Sequence, residues 1–240
     1  MDNAGYVALS RQVGLAKDMR IIANNIANMS SDGFRRESAV FTEIVDNLGV
    51  AGGSLSQTAS RVRTTDFSLG GLRSTGGEFD FAIEGEGFFR IETAEGEALT
   101  RNGSFARSAD GELVTASGRR VLGAGGVPLF FPADATAINV GADGIISADG
   151  QPVGQLEIVT VEDLSDLRRR EDGLFETDQP SIPAIEASLR HGFVERSNVD
   201  PVREMTRMIE VQRAYEMGQS FLETEDERIR QAVRIMGAGS

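Results

Sequence analysis

The sequence predicts an α+β protein: long N- and C-terminal helices form a coiled-coil-like core domain, and a central all-β domain is sandwich-like or barrel-like. Three observations predict this class. Twenty of the 28 glycines fall between Gly49 and Gly154, where turns rather than helices are expected. Both ends of the chain show apolar residues spaced three and four positions apart, which is helical periodicity. The middle shows two-residue alternation, which is typical of strands.

The first region, residues 1–30, is predicted to be one helix of the core. Its apolar positions alternate by four and three residues, and they are Leu15, Met19, Ile22, Ile26 and Met29. Asn24, Asn25 and Asn28 interrupt the apolar pattern near the end of the helix. A polar residue at a buried helical position costs stability but fixes register and partner. We therefore expect at least one of these asparagines to face another helix.

The last region, residues 191–240, is predicted to hold the second helix. Asp200 as the N-cap and Pro201 at the first helical position mark its start. A seam spaced by three and four residues follows, at Met205, Met208, Gln212, Tyr215, Gln219, Leu222, Asp226, Ile229, Val233 and Met236. Most of these positions are apolar or aromatic, and a second seam at Val211, Ala214, Gly218 and Phe221 lies beside them. A seam of this length favours a coiled-coil-like partner helix.

The central region, residues 78–190, is predicted to be rich in strands. In "FDFAIEG" (79–85), apolar residues alternate with polar or small ones. Asn-Gly and Asp-Gly pairs recur through the region and mark tight turns. Many short strands at close spacing predict a sandwich or a barrel. The preceding segment, residues 31–77, has low hydrophobicity and is predicted to be an extended linker or loop.

Composition argues against several functional classes. The net charge is −13 and no basic stripe offsets it, which argues against a nucleic-acid partner. The absence of cysteine excludes disulfides and thiolate metal sites. No run approaches the ~18 apolar residues of a membrane-spanning helix. The N-terminus also lacks the basic and apolar regions of a cleavable secretion signal.

Candidate catalytic and metal-binding patterns are weak. His191 is the only histidine, and no Gly-x-Ser-x-Gly motif surrounds a serine. Glu84 and Glu86 have the spacing of a carboxylate pair on one strand face, but a solvated strand edge has the same spacing. The Ala-Asp-Gly repeats lack the ligand spacing of a calcium loop. We therefore predict no enzyme activity, no cofactor and no metal site.

Three segments resemble the bacterial flagellar rod and hook protein family. The opening "MDNAGYVALSRQVGLAKDMRIIANNIANMSSDGFRRE" contains the Ala-Asn-Asn-Ile-Ala-Asn run and the Gly-Phe pair of that family. The segments "FAIEGEGFFRI" and "LTRNGSFARSADGELVTASGRRVLG" are similar to its central β-domain motifs. The segment "SNVDPVREMTRMIEVQRAYEMGQSFLETEDERI" is similar to its C-terminal helix. The matches occur in all three regions and in the family's order.

The resemblance implies a structural subunit of the bacterial flagellar basal-body rod. The chain length and the "MDNAGY" opening favour a proximal position, with a distal rod or hook-type relative as the alternative. The expected partners are copies of the chain itself, neighbouring rod proteins and the flagellar type III export apparatus, with no cleavable signal. The assembled tube would cross the periplasm, transmit torque and carry the export channel.

Two readings from other classes remain open. One is a periplasmic protein that binds or hydrolyses peptidoglycan through the β-region, and the other is a freestanding coiled-coil adhesin.

The resemblance also implies where subunits would contact each other. The terminal helices would pack in an assembly core, Gly33 would end the first helix in a left-handed conformation, and Phe34 would anchor the departing chain. The predicted interface residues are Leu15, Met19, Ile22, Asn24, Asn25, Ile26, Asn28, Gly33, Phe34, Met205, Met208, Gln212, Tyr215, Leu222, Ile229 and Val233.

Overall fold

A computed structural model describes residues 2–47, 54–132, 135, 138–170 and 172–237. Within these ranges, residues 2–6, 40–47, 54–62, 232, 233, 236 and 237 are described by their backbone alone. The chain divides into two compact units. The helical unit comprises Met1–Asn28, Arg36–Asp66 and Val199–Ser240, and the β unit comprises Met29–Arg35 and Phe67–Asn198. Over the described ranges, neither helix combines the length and the apolar character needed to cross a membrane.

In its described residues, the helical unit contains two helices and two strands. In chain order they are α1 (Asp2–Ala27), β1 (Glu37–Asn47), β2 (Ser54–Thr65) and α2 (Pro201–Gly237). Helix α2 begins where the sequence predicts, because the Asp200 side chain accepts hydrogen bonds from the backbone N–H groups of Val202 (3.0 Å) and Arg203 (3.2 Å). These N–H groups lie in the first helical turn and have no partner within the helix.

Strands β1 and β2 pair antiparallel, from Glu37 opposite Thr65 to Asn47 opposite Ser54. The register shifts between Phe41 and Glu43. Helix α1 contacts both strands and also packs along α2. The segment predicted to be a linker, residues 31–77, therefore contains a long strand pair that belongs to the helical unit.

The prediction of a coiled-coil-like helical core is wrong. Among the α2 side chains that the structure describes, Glu204 and Val211 are fully or nearly buried. Glu204 lies on neither predicted seam, and Val211 lies on the second one. On the first seam, Met205 and Ile229 are about half exposed. A coiled coil requires a continuous apolar seam. Here a carboxylate occupies the buried face of α2, and α1 divides its surface between α2 and the strand pair.

The β unit is built from short strands. They are β3 (Leu72–Ser74), β4 (Phe81–Glu84), β5 (Phe89–Thr93), β6 (Gly96–Thr100), β7 (Phe105–Arg107), β8 (Leu113–Thr115), β9 (Val121–Leu122), β10 (Ile138–Val140), β11 (Ile145–Ala148), β12 (Gln151–Gln155), β13 (Val159–Thr160), β14 (Arg168–Arg169), β15 (Phe175–Glu176), β16 (Ile182–Pro183), β17 (Ser188–His191) and β18 (Phe193–Glu195).

These strands form several small sheets. The largest has the order β14-β15-β6-β5-β9, and a second has the order β10-β11-β12. The remaining strands pair as β13-β16, β17-β4, β18-β3 and β7-β8. The prediction of a sandwich or barrel is therefore wrong. Strands of two to five residues end at glycine and aspartate turns before wide sheets can form.

The core of the β unit is aromatic and aliphatic. Phe81, Phe89, Ile91 and Phe131 are completely buried within its main cluster. Phe89 lies edge-on to Phe105, with ring centroids 5.3 Å apart, a geometry that aromatic pairs prefer. A smaller cluster forms around Phe88, Leu99 and Phe175. The alternation in "FDFAIEG" correctly placed Phe81 and Ile83 inside and Glu84 outside, but Ala82, on the same side of the strand as Glu84, is also buried.

Candidate functional site

The predicted interface residues of α1 lie at different depths. Ile22 and Asn25 are completely buried, whereas Leu15, Met19 and Ile26 are half-buried. Asn24 is exposed, and its backbone C=O accepts a hydrogen bond from the Asn28 side chain at 3.0 Å. The run of three asparagines therefore serves two purposes. Asn25 points into the unit, and the Asn28 side chain adds a second hydrogen bond to the Asn24 C=O, which also accepts from the Asn28 backbone N–H at 3.1 Å.

Asn25 binds the first residue of β1 at both backbone groups. Its Nδ2 donates to the Glu37 C=O at 2.8 Å, and its Oδ1 accepts from the Glu37 N–H at 3.0 Å. The same Nδ2 also donates to a carboxylate oxygen of Glu204 at 3.1 Å. The expectation that one of the asparagines faces another helix is met at Asn25, because Glu204 lies in α2.

Two further polar contacts hold α1 against α2. Asp18, which is buried, pairs with Arg207 at 3.1 Å. Gln12 donates from its Nε2 to the Tyr215 C=O at 2.9 Å. This contact is possible because Gly218 has no side chain: a Cβ there would lie 2.1 Å from the Gln12 Nε2. The pairs 25–204, 18–207 and 12–215 place the helices antiparallel.

The outer faces of the helices carry the remaining apolar residues. Among the side chains that the structure describes, the exposed large apolar ones of α1 are Val7, Leu9 and Val13, and those of α2 are Val202, Met205, Ile209, Met217, Phe221, Ile229 and Ile235. Among the predicted α2 interface residues, Gln212 is also exposed, whereas Met208, Tyr215 and Leu222 are half-buried. The Val233 side chain lies outside the described residues. The predicted set is thus divided between the α1–α2 contact and open surface.

Gly33 and Phe34 lie in the β unit. Gly33 has the predicted left-handed conformation, with φ of 71°, but it follows the last helical residue, Ala27, by six positions and is not the helix cap. Its N–H donates to the Glu195 C=O at 2.7 Å. Phe34 is buried, and the Arg169 guanidinium lies 3.9 Å from the centre of its ring. The aromatic ring therefore anchors this segment through a cation–π contact.

A buried ionic cluster beside Gly33 was not predicted from the sequence. Glu195 pairs with Arg35 at 2.6 Å and with Arg101 at 2.6 Å, and all three side chains are at most 2% exposed. The Gly70 N–H also donates to Glu195, at 2.7 Å. Burial lowers the pKa of Arg101, and the Glu195 carboxylate opposes that shift. The charged Arg101 therefore depends on Glu195 for its stability.

The sequence draws attention to the two arginines of this cluster but not to their pairing with Glu195. Arg35 and Arg101 lie in "GFRRE" and "LTRNGSF", two of the segments that carry the family resemblance. Charged residues beside Gly-Phe and Asn-Gly turns look like solvated loop residues when they are read alone. Their partner Glu195 lies 160 positions from Arg35 and 94 from Arg101, and periodicity cannot reveal a contact of that range.

The weak catalytic candidates have ordinary surroundings. Glu84 pairs with Arg190 at 2.8 Å on the exposed side of β4 and β17. His191 stacks against Phe81, and its Nε2 lies 2.8 Å from the Glu78 C=O. Over the described ranges, histidine and acidic residues do not form a group of three or more that could bind a metal ion.

The residues described so far pack against each other, form ion pairs or expose apolar surface, as is expected of a structural subunit. Comparison with known proteins supports the same class. Three family models match: a flagellar basal-body rod protein model at residues 6–35, a flagellar hook protein FlgE/F/G D1 domain model at 82–148, and a flagellar basal-body rod FlgEFG C-terminal model at 190–235. The matched ranges include most of α1, strands β5 to β11 of the β unit and nearly all of α2.

Full-length relatives are similar throughout. The flagellar basal-body rod protein FlgF of Caulobacter vibrioides is 38% identical over 99% of each chain. FlgF of Mesorhizobium japonicum is 34% identical over 100% of each chain. The rod protein FlgG of Bacillus subtilis is 31% identical over 96% of this chain and 97% of the relative. The chain belongs to the flagellar basal-body rod protein family, whose members are structural subunits.

Proposed function

We propose that this chain is a proximal rod subunit that assembles with copies of itself and with neighbouring rod proteins through the outer faces of α1 and α2. The observation that carries the proposal is the exposed apolar surface of the two helices. Ten of the 16 exposed large apolar residues described lie on α1 and α2. Concentrated apolar surface of this kind marks protein contacts, and helices gain most of their stability from burying such faces.

The two helices offer distinct outer faces. On α1, Leu9 and Val13 are exposed along a stripe with helical spacing that continues through Arg20 to Asn24. On α2, Met205 and Ile209 are exposed one turn apart. A subunit with two different apolar faces can form head-to-tail contacts, and such contacts generate helical filaments when the rotation does not close. This arrangement suits a tubular assembly. The predicted segments 1–30 and 191–240 would form its assembly core.

The proximal position and the export route complete the proposal. The two FlgF relatives are 38% and 34% identical to this chain and the FlgG relative is 31% identical, and this difference in identity supports the proximal assignment over the distal or hook-type alternative. Export by the flagellar type III apparatus without signal cleavage would place the subunit in the rod across the periplasm. We assign the chain no catalytic role, because its charged clusters are engaged in structural ion pairs.

The test is a charge on the outer face of α2. Met205→Asp should leave the subunit folded, because Met205 is 50% exposed, but it would place an unpaired carboxylate in each assembled contact. In a strain that lacks the native gene, the variant subunit should be exported while hooks and filaments fail to form.

The matched control is Thr206→Asp, at the adjacent exposed position. It adds the same charge without removing apolar surface. It should support more swimming than Met205→Asp. Normal filaments with Met205→Asp would contradict the proposed interface.

A further inference from the structure

Glu204 is completely buried although it carries a charge. One carboxylate oxygen accepts from Arg36 Nε at 2.6 Å, and the other accepts from Asn25 Nδ2 at 3.1 Å. The two donors come from different parts of the chain: Asn25 belongs to α1, and Arg36 immediately precedes β1. A single side chain of α2 therefore contacts both the end of α1 and the start of the strand pair.

Asn25 extends this contact into the backbone of β1. It binds both the N–H and the C=O of Glu37, the residue that opens the ladder opposite Thr65. The Asn25 amide can make these contacts in one orientation only, with Oδ1 toward the Glu37 N–H and Nδ2 toward the Glu37 C=O. Glu204 accepts from the same Nδ2 and so stabilises that orientation.

The strand pair needs such support. An isolated two-stranded hairpin is marginally stable in water, and β1 and β2 pair only with each other in the described sheet. We propose that Glu204 is a positioning residue that couples β1–β2 to the helix pair. The strands are then ordered only while α1 and α2 are packed against each other. This inference goes beyond the proposed rod function and does not depend on it.

Hydrogen–deuterium exchange of the full-length protein tests the coupling through Glu204→Gln. Glutamine keeps the shape of the side chain but removes the charge and turns one acceptor into a donor that faces Arg36 or Asn25. Losing a charge-assisted hydrogen bond corresponds to roughly a tenfold to hundredfold change in an opening equilibrium. Backbone amides in 37–47 and 54–65 should exchange faster by that factor, while 67–198 and the part of α2 beyond Val211 keep their rates.

The matched control is Glu210→Gln, which removes the same charge from an exposed position two turns along the same helix. It should leave exchange in β1 and β2 unchanged. If Glu204→Gln changes β1–β2 exchange no more than this control does, the coupling is disproved. An equal increase in exchange rate throughout α2 and the two strands would also overturn the proposal, because that pattern means general unfolding of the unit.

A second variant protects the test against simple misfolding. Arg36→Gln removes the opposite charge from a side chain that is 20% exposed, so it perturbs packing less. If the two residues act through one contact, the double variant should exchange no faster than the faster single variant. Fully multiplicative effects of the two substitutions would show independent roles and would contradict the proposal.

Discussion

The β unit and the helical unit differ in how much apolar surface they leave exposed: ten of the 16 exposed large apolar residues described lie on α1 and α2, and six lie in the larger β unit. In the β unit, Phe81, Phe89 and Phe131 are completely buried among side chains of the same unit. In the helical unit, residues of comparable size, such as Met217 and Phe221, are more than half exposed. Burial of apolar surface is the main stabilising term of a fold. The β unit therefore gains most of this stabilisation within one chain. The helices leave more of their apolar surface exposed, and assembly would bury it.

The buried charges of the two units differ as well. In the β unit Glu195 faces two arginines, Arg35 and Arg101. In the helical unit Glu204 faces one arginine and one amide, and its Arg36 partner is partly exposed. The first cluster therefore has an excess positive charge with almost no access to solvent, and the second is balanced. Removing the carboxylate should therefore reduce stability more at Glu195, where two buried arginines depend on it, than at Glu204.

The largest expected effect is that of Glu195→Ala. The substitution removes the ion-pair partner that the buried Arg35 and Arg101 share, and breaking a buried pair in this way costs about 3–5 kcal/mol. Denaturant unfolding monitored on the β unit should show a loss of at least this size.

Glu84→Ala is the control for that prediction. It breaks an ion pair with Arg190 in which both side chains are nearly half exposed, and such pairs contribute at most about 1 kcal/mol. Similar losses for the two variants would mean that burial does not distinguish the clusters.

A smaller effect is expected for Gly33→Ala. A left-handed conformation costs an alanine about 1–2 kcal/mol, and here the new Cβ would also lie 2.3 Å from the Asn102 backbone nitrogen. Calorimetry should therefore show a loss beyond the conformational cost alone.

Gly76→Ala isolates that conformational cost. Gly76 has a nearly identical φ of 67°, but nothing lies within 4 Å of its Cβ position. If both alanine variants lose the same stability, the close approach of the Gly33 segment to Asn102 is not an important constraint.

The same contrast explains what the sequence could predict. Local signals were sufficient for the start of α2 at Asp200 and for the inward side of β4, because capping and two-residue alternation act between near neighbours. The choice between neighbouring seams of α2 was not predictable. Val211 faces inward and Met205 outward, and that choice depends on the partner surface, which includes the Gln12–Gly218 contact.

Long-range polar contacts were the other feature that could not be predicted from the sequence. The sequence predicted that at least one of the three asparagines faces another helix but not which one, since the bonds of Asn25 to Glu37 and Glu204 join residues 12 and 179 positions away. Propensity and periodicity describe one element at a time. The strand pair inside the glycine-rich segment 31–77 was missed for a related reason, since β1 and β2 are supported by α1 and not by their own composition.

The smallest expected effect is that of removing one methylene group, at one site in each unit. Ile91→Val removes it from a completely buried site and should cost the isolated subunit about 0.5–1.5 kcal/mol. Ile229→Val removes it from a side chain that is 51% exposed, so unfolding of the isolated subunit should change by less than about 0.5 kcal/mol. If α2 is an assembly surface, Ile229 becomes buried in the rod, and Ile229→Val should then reduce the stability of the rod although it has little effect on the isolated subunit. Rods built with Ile229→Val should dissociate at lower denaturant concentration than wild-type rods, although the two subunits melt together. Equal resistance of the two rods would place Ile229 outside the contact and would restrict the assembly face of α2 to its first turns, around Met205 and Ile209.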